Sequence, residues 1–99
     1  MKNEFLNLLG IANRARKIIG GTEITIDGVR NHSVKLIIMG SDCSDRTKKE
    51  VNNKATFYKV PVVDQFSSEE IIKSIGRKRK VIGITDAGFA KRLVEITEK

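Results

Sequence analysis

The stretch Val34-Lys35-Leu36-Ile37-Ile38-Met39-Gly40-Ser41-Asp42 constrains this chain more than any other. Leu36 to Met39 is apolar without alternation, Val34 precedes it, and turn-forming residues follow at once. So short a run, with no polar face, reads as a strand buried on both sides. Such a strand needs helices above and below it, which the rest of the chain must supply. Asp42 to Thr47 then reads as the opening of a helix. A polar loop between a buried strand and a helix is where α/β proteins place chemistry or ligand contacts.

The flanking chain fits that demand. Asn3 can cap a first helix with Phe5, Leu8, Leu9 and Ala12 on one stripe. Arg14, Arg16 and Lys17 fall in its last turn, where cations suit the macrodipole, with phosphate contact as the alternative. Ile18-Ile19 is a minimal strand stopped by Gly20-Gly21. Thr22 to Asp27 alternates polar with apolar residues and is rich in β-branched types, so local propensity leans to strand. Against this, Thr22 can act as an N-cap, and Ile26, Val29 and Arg30 can be read at helical spacing. The need to cover both faces of the Leu36 strand decides for a helix from Thr22 to about Asn31.

Ser44 can cap a helix through Asp45, Thr47, Val51 and Ala55. Tyr58 to Val63 reads as a third strand, at an edge or already ending at Pro61, which has no N–H to donate. Ser67 with Glu70 forms a capping box, and Gly76 a C-cap, around a short helix carrying Ile71, Ile72 and Ile75. Val81 to Thr85 is a fourth strand, and Asp86 caps a last helix whose Phe89, Ala90, Leu93 and Val94 face the core. This alternation predicts a single α/β domain over residues 1–99, a three-layer α/β/α sandwich around a four-stranded sheet.

The formal charge of +7 and a pI near 9.8 suit an acidic partner, most commonly nucleic acid, with a merely basic soluble protein as the equal alternative on charge alone. One cysteine excludes an internal disulfide, and one histidine beside it cannot make a zinc site, so neither metal nor cofactor is expected. No apolar run is long enough to span a membrane, and Met1 to Glu4 lacks a signal-peptide core, which points to the cytoplasm. Enzyme signals are weak, and no catalytic residue or small-molecule substrate is assigned. Cys43 sits at a helix start but has only a lone His32, not placed by the sequence, as a candidate partner, and reads as buried and inert. Asp42, Asp64 and Asp86 follow strands, where catalytic or magnesium-binding carboxylates often sit, but two of them open into helices and are explained as caps or turn residues. Gly20-Gly21-Thr22 lacks the fuller pattern of a nucleotide loop. With four Phe, one Tyr and no Trp, a single-strand stacking platform is disfavoured. The basic runs Arg14 to Lys17 and Arg77-Lys78-Arg79-Lys80 suit structured RNA better.

The order of motifs Ala12-Asn13-Arg14-Ala15-Arg16-Lys17, Lys35 to Asp42, Tyr58-Lys59-Val60-Pro61 and Thr85-Asp86-Ala87-Gly88-Phe89-Ala90 resembles the ribosomal L-seven-Ae family, and within it the bacterial YlxQ-like branch. The resemblance covers nearly the whole chain. It implies the sandwich, the helix after Gly21, and a non-catalytic protein that binds structured RNA, ribosomal RNA included, at a kink-turn. In that family the loop before the second helix and the start of that helix read tandem sheared G·A pairs. A second loop, here Phe66-Ser67-Ser68, covers a flipped-out base.

The reading motif itself departs from the family. Counted ungapped from Lys35, its positions are Gly21, Glu23, Ile24 and Asp27, with Thr22 between the first two, and only the glycine matches. Glu23 has acceptors and no donor where the family has Asn, Ile24 has neither where it has Glu, and Asp27 reverses the charge of a lysine. A one-residue shift aligns Glu23 with the family's acid but places Ile26 at the lysine. The expectation is therefore an RNA-binding scaffold with a degenerate kink-turn motif, contacting RNA through Gly21, Thr22, Glu23, Ile24, Asp27, Phe66, Ser67, Ser68 and Arg77 to Lys80. The alternative is a protein-interaction module on the same fold with its RNA face disabled.

Overall fold

The computed structural model describes residues 2–98. In chain order it contains α1 (Lys2–Arg14), β1 (Ile18–Gly20), α2 (Thr22–Arg30), β2 (Leu36–Met39), α3 (Asp45–Tyr58), β3 (Val62–Val63), α4 (Ser68–Ile75), β4 (Val81–Ile84) and α5 (Ala87–Thr97). The strands lie in the order β1-β4-β2-β3. β2 and β3 are parallel, while β4 is antiparallel to both of its neighbours, with Leu36 opposite Ile84 and Met39 opposite Val81. None of the described helices is long and apolar enough to cross a membrane.

β2 is buried along its whole length, as its unbroken apolar run requires. Its side chains alternate between two cores. Leu36 and Ile38, with Ile82 and Ile84 of β4, meet Phe5, Leu9, Ile71, Ile75, Leu93 and Ile96 from α1, α4 and α5. Ile37 and Met39 meet Val29, Val51 and Ala55 from α2 and α3 on the other face. The sheet is thus covered on both sides, and Thr22 to Arg30 is helical despite its strand-like alternation.

Several boundaries differ from the sequence expectation. α1 already includes Lys2, so Asn3 lies inside its first turn. Thr22 is the first helical residue of α2 rather than its cap; Gly21 holds that place, with φ 113° and ψ 147°. A side chain is strained at such angles, and only glycine adopts them readily. The segment read as a strand from Tyr58 begins as helix. α3 continues through Tyr58, which packs on the second core, and ends at Lys59 in the left-handed region. Only Val62 and Val63 then pair with β2, at the sheet edge that Pro61 requires. The caps at Ser44, Asp86 and Gly76 and the reciprocal capping box of Ser67 and Glu70 stand where the sequence puts them.

Candidate nucleic-acid interface

The antiparallel course of β4 decides what meets at each end of the sheet. The start of β4 lies beside the end of β2: the Gly40 N–H donates to the Lys80 carbonyl at 2.8 Å, and the Gly21 N–H to the Val81 carbonyl at 2.8 Å. The Ser41 N–H donates to the Phe66 carbonyl at 2.8 Å. One end therefore gathers the start of α2, the loop Gly40 to Ser44, the loop Asp64 to Ser67 and the last residues of the basic run. Arg14 to Lys17 belong to the opposite end, where Lys17 and Lys35 flank Thr85 and Ile84.

At the start of α2 no side chain caps the helix. Intrahelical bonding begins with the Thr25 N–H on the Gly21 carbonyl, 2.9 Å away, so the amides of Thr22, Glu23 and Ile24 are free to donate to a ligand. Glu23, Ile24 and Asp27 are exposed, with Ile24 at 58%. Ile26 is buried, which sets aside the shifted alignment. Asp27 lies 3.5 Å from Arg30 and holds that cation one turn further along α2.

The second loop is tied to the first by Asp42. Both the backbone N–H and the hydroxyl of Ser68 donate to Asp42 Oδ1, at 2.7 and 2.8 Å. The backbone donor, then the hydroxyl, hold the Asp42 carboxyl below the usual carboxylate range. The approach is close because residue 40 is glycine: a Cβ there would come 2.4 Å from Ser68 Oγ and 3.1 Å from Ser68 N. Phe66 is buried and stacks on Phe5 with ring centroids 4.5 Å apart, and Ser68 is buried as well. These two anchor the loop; the side chains it exposes are Asp64 and Gln65, with Ser67 half-buried as the cap of α4. Sequence reasoning missed this inversion, because nothing local to Phe66 announces Phe5.

The depressed pKa makes a prediction. A carboxylate whose folded pKa lies below its unfolded value of about 3.9 stabilises fully above that value and progressively less as pH falls through the lower, folded one. Asp42→Ala is therefore expected to melt below the wild type at pH 6, with the difference shrinking from about pH 4 downward. Glu70, lowered by its bond to Lys2 and by the Ser67 N–H, is common to both proteins and cancels. A difference that persists unchanged to pH 2 would show that the charge of Asp42 is not what holds the loops.

All four side chains of Arg77 to Lys80 are exposed. Arg77 turns back to donate to Asn13 Oδ1 at 3.2 Å. The Arg79 stem lies over Gly20, within 2.8 Å of where a Cβ would stand, and Lys80 borders the Gly40 turn. Cys43 is buried, and burial pushes its thiol up, which disfavours the thiolate a nucleophile needs. His32 lies past the far end of α2, against Tyr58. Among the described residues no group of three His, Cys, Asp or Glu side chains can hold a metal ion.

A four-stranded sheet between two and three helices, with two tethered loops and an uncapped helix start at one end, defines a sandwich that presents backbone donors and basic side chains at a sheet end. Residues 3–94 match the ribosomal protein L7Ae/L30e/S12e/Gadd45 family, and the chain belongs to it. It is 44% identical over 97 residues to the RNA-binding protein YlxQ of Enterococcus faecium, covering 98% of this chain and 94% of that one. To the RNA-binding protein YlxQ of Bacillus subtilis (strain 168) it is 40% identical over 96 residues, covering 96% of each. A solved structure of a protein of unknown function from Bacillus halodurans superposes with a TM-score of 0.93 at 36% identity, covering 96% of this chain and 97% of that one. The Giardia lamblia 15.5kD RNA binding protein shares the fold, with a TM-score of 0.80 at 19% identity over 96% of this chain and 82% of its own.

Proposed function

We propose that this protein binds structured RNA, without catalysing a reaction, through the sheet end that gathers Gly21 to Asp27, Gly40 to Asp42, Asp64 to Ser68 and the run Arg77 to Lys80. The observation that carries this reading is the antiparallel β4, whose first residues bring Arg79 and Lys80 beside the Gly21 and Gly40 turns. Family membership and relatives named as RNA-binding proteins support it. Free amides at the start of α2 suit phosphate or base acceptors. The altered side chains at Glu23, Ile24 and Asp27 argue for weak reading of a standard kink-turn, with affinity resting on backbone and cations. Ribosomal RNA is one candidate target.

Changing Arg77, Lys78, Arg79 and Lys80 together to Gln is expected to flatten the salt dependence of RNA binding by roughly one unit of log–log slope per lost phosphate contact. Since Arg77 is engaged with Asn13, the loss should lie nearer two or three units than four. An unchanged slope removes the run from the interface. The second reading, a protein partner, is favoured by the exposed Ile24 on the first turn of α2. It predicts binding that survives high salt and is lost in Ile24→Ser.

A further inference from the structure

The face formed by α2 and α3 carries a charge pattern that the loop end does not use. Arg30, Arg46, Lys49 and Lys54, with Glu50 and Asn53, line a groove of about 410 Å³ between the two helices. Four cations against one carboxylate repel one another and favour a bound anion. Of the four, only Arg30 is paired within the chain, with Asp27. Among the described residues Arg46, Lys49 and Lys54 form no ion pair, although Glu50 stands four residues from both Arg46 and Lys54. Elsewhere the chain does pair its cations, Lys73 with Glu69 and Arg92 with Glu4 and Glu95.

The second observation is Phe57, which is 77% exposed. On α3 it falls on the same stripe as Arg46, Glu50 and Asn53, by helical spacing. Its ring meets Tyr58 edge to face, with centroids 4.9 Å apart. The groove starts just past Ser44, and beyond its lining the same stripe of α3 leads on to the exposed ring, roughly 16 Å from Arg46 at the helical rise per residue.

We infer that this groove is a second RNA site, for a single-stranded segment continuous with the RNA held at the loop end. Phosphates lie along Arg46, Lys49 and Lys54, and an unpaired base stacks on Phe57. The inference rests on the RNA reading above. A single strand is favoured over duplex because a paired base offers no free face to an aromatic side chain, whereas an unpaired base does. RNA is favoured over an apolar protein partner because cations, not apolar groups, dominate the lining.

The test uses the full chain and two labelled RNAs: a blunt-ended kink-turn stem, and the same stem with a short single-stranded oligoadenosine extension. The extension is expected to tighten wild-type binding about tenfold or more. Arg46→Gln, Lys49→Gln and Lys54→Gln together should abolish that gain and lower the salt slope on the extended RNA by about 2, at about 0.7 per single-strand phosphate contact. Phe57→Ala should weaken binding of the extended RNA about fivefold or more without altering the blunt stem, and Phe57→Leu should fail to rescue it. Equal wild-type affinity for the two RNAs overturns the groove site and leaves the RNA reading standing. No wild-type binding to either RNA overturns both. If Phe57→Ala alters self-association in sedimentation yet leaves the extension gain intact, the ring is a protein contact and the proposal fails.

Discussion

Gly83→Val is expected to cost about 1–3 kcal/mol of stability, by way of the space it fills. Gly83 occupies the middle of the central strand β4, paired with Ile37 on one side and Ile19 on the other. A Cβ there would come 2.8 and 3.1 Å from the two methyl groups of Val34 and 3.2 Å from Thr25 Cγ2. Val34 cannot retreat easily, because a Cβ on Gly28 of α2 would likewise stand 2.5 Å from it. It is buried and β-branched, and so stiff at its first torsion. Valine would place three carbons where one does not fit, and overpacking of this kind costs about 1–3 kcal/mol, occasionally more. Against a total of about 5–15 kcal/mol for a small domain this is a large fraction. The melting temperature should fall by about 10 °C or more, at about 4–8 °C per kcal/mol in a chain of this size. Adding Val34→Ala should recover part of the loss, a coupling that a double-mutant cycle measures. A Gly83→Val protein that melts with the wild type would mean that α2 lifts off the sheet at little cost.

That contact also explains why the helicity of α2 is not legible in its local sequence. Thr22 to Asp27 has the residues of a strand, and its helicity is set by Gly28 and Gly83 letting it lie close over β4. The decisive clue was the unbroken run Leu36 to Met39, which demands cover whatever its neighbours prefer. Where a boundary depends on side chain and backbone within one turn, as at Ser44, Ser67 with Glu70, Gly76 and Asp86, the sequence was enough. Where it depends on distant partners it was not. Tyr58 is held in α3 by the second core, which outweighs the β propensity of the residues around it. A buried strand has the same apolar run in either sense, so the direction of β4, which decides which end carries Arg79 and Lys80, is not legible in the sequence. The family resemblance presents Phe66 and Ser68 as ligand contacts, whereas the structure turns them to Phe5 and Asp42. The α2–α3 groove depends on Arg30 and Arg46 being brought together, which no spacing along the chain announces.

The triple change Glu23→Asn, Ile24→Glu and Asp27→Lys is expected to raise affinity for a standard kink-turn at least a hundredfold, measured against a control RNA whose G·A pairs are replaced. All three side chains are exposed on the first turns of α2, beside the free amides that follow Gly21, so the substitutions alter the surface without touching the core. Asp27→Lys gives up the exposed pair with Arg30, a contribution of about 1 kcal/mol or less. In exchange, a carboxylate that repels phosphate becomes a cation that attracts it. Asn at position 23 supplies the donor that Glu23 lacks, and Glu at position 24 supplies acceptors where Ile24 has none. Each matched contact at a base edge is worth about 1–3 kcal/mol of discrimination, so even two of the three exceed a hundredfold near the middle of that range. The measurement is a titration of both proteins against both RNAs at one fixed salt. Tight, G·A-dependent binding by the wild type would show that the backbone donors after Gly21 suffice and that Glu23, Ile24 and Asp27 do not impair reading. If the triple variant gains equally on the control RNA, the added charge acts on phosphates alone. Indifference of both proteins would place the defect in the second loop, where Phe66 is turned to the core and Asp64 and Gln65 are what solvent meets.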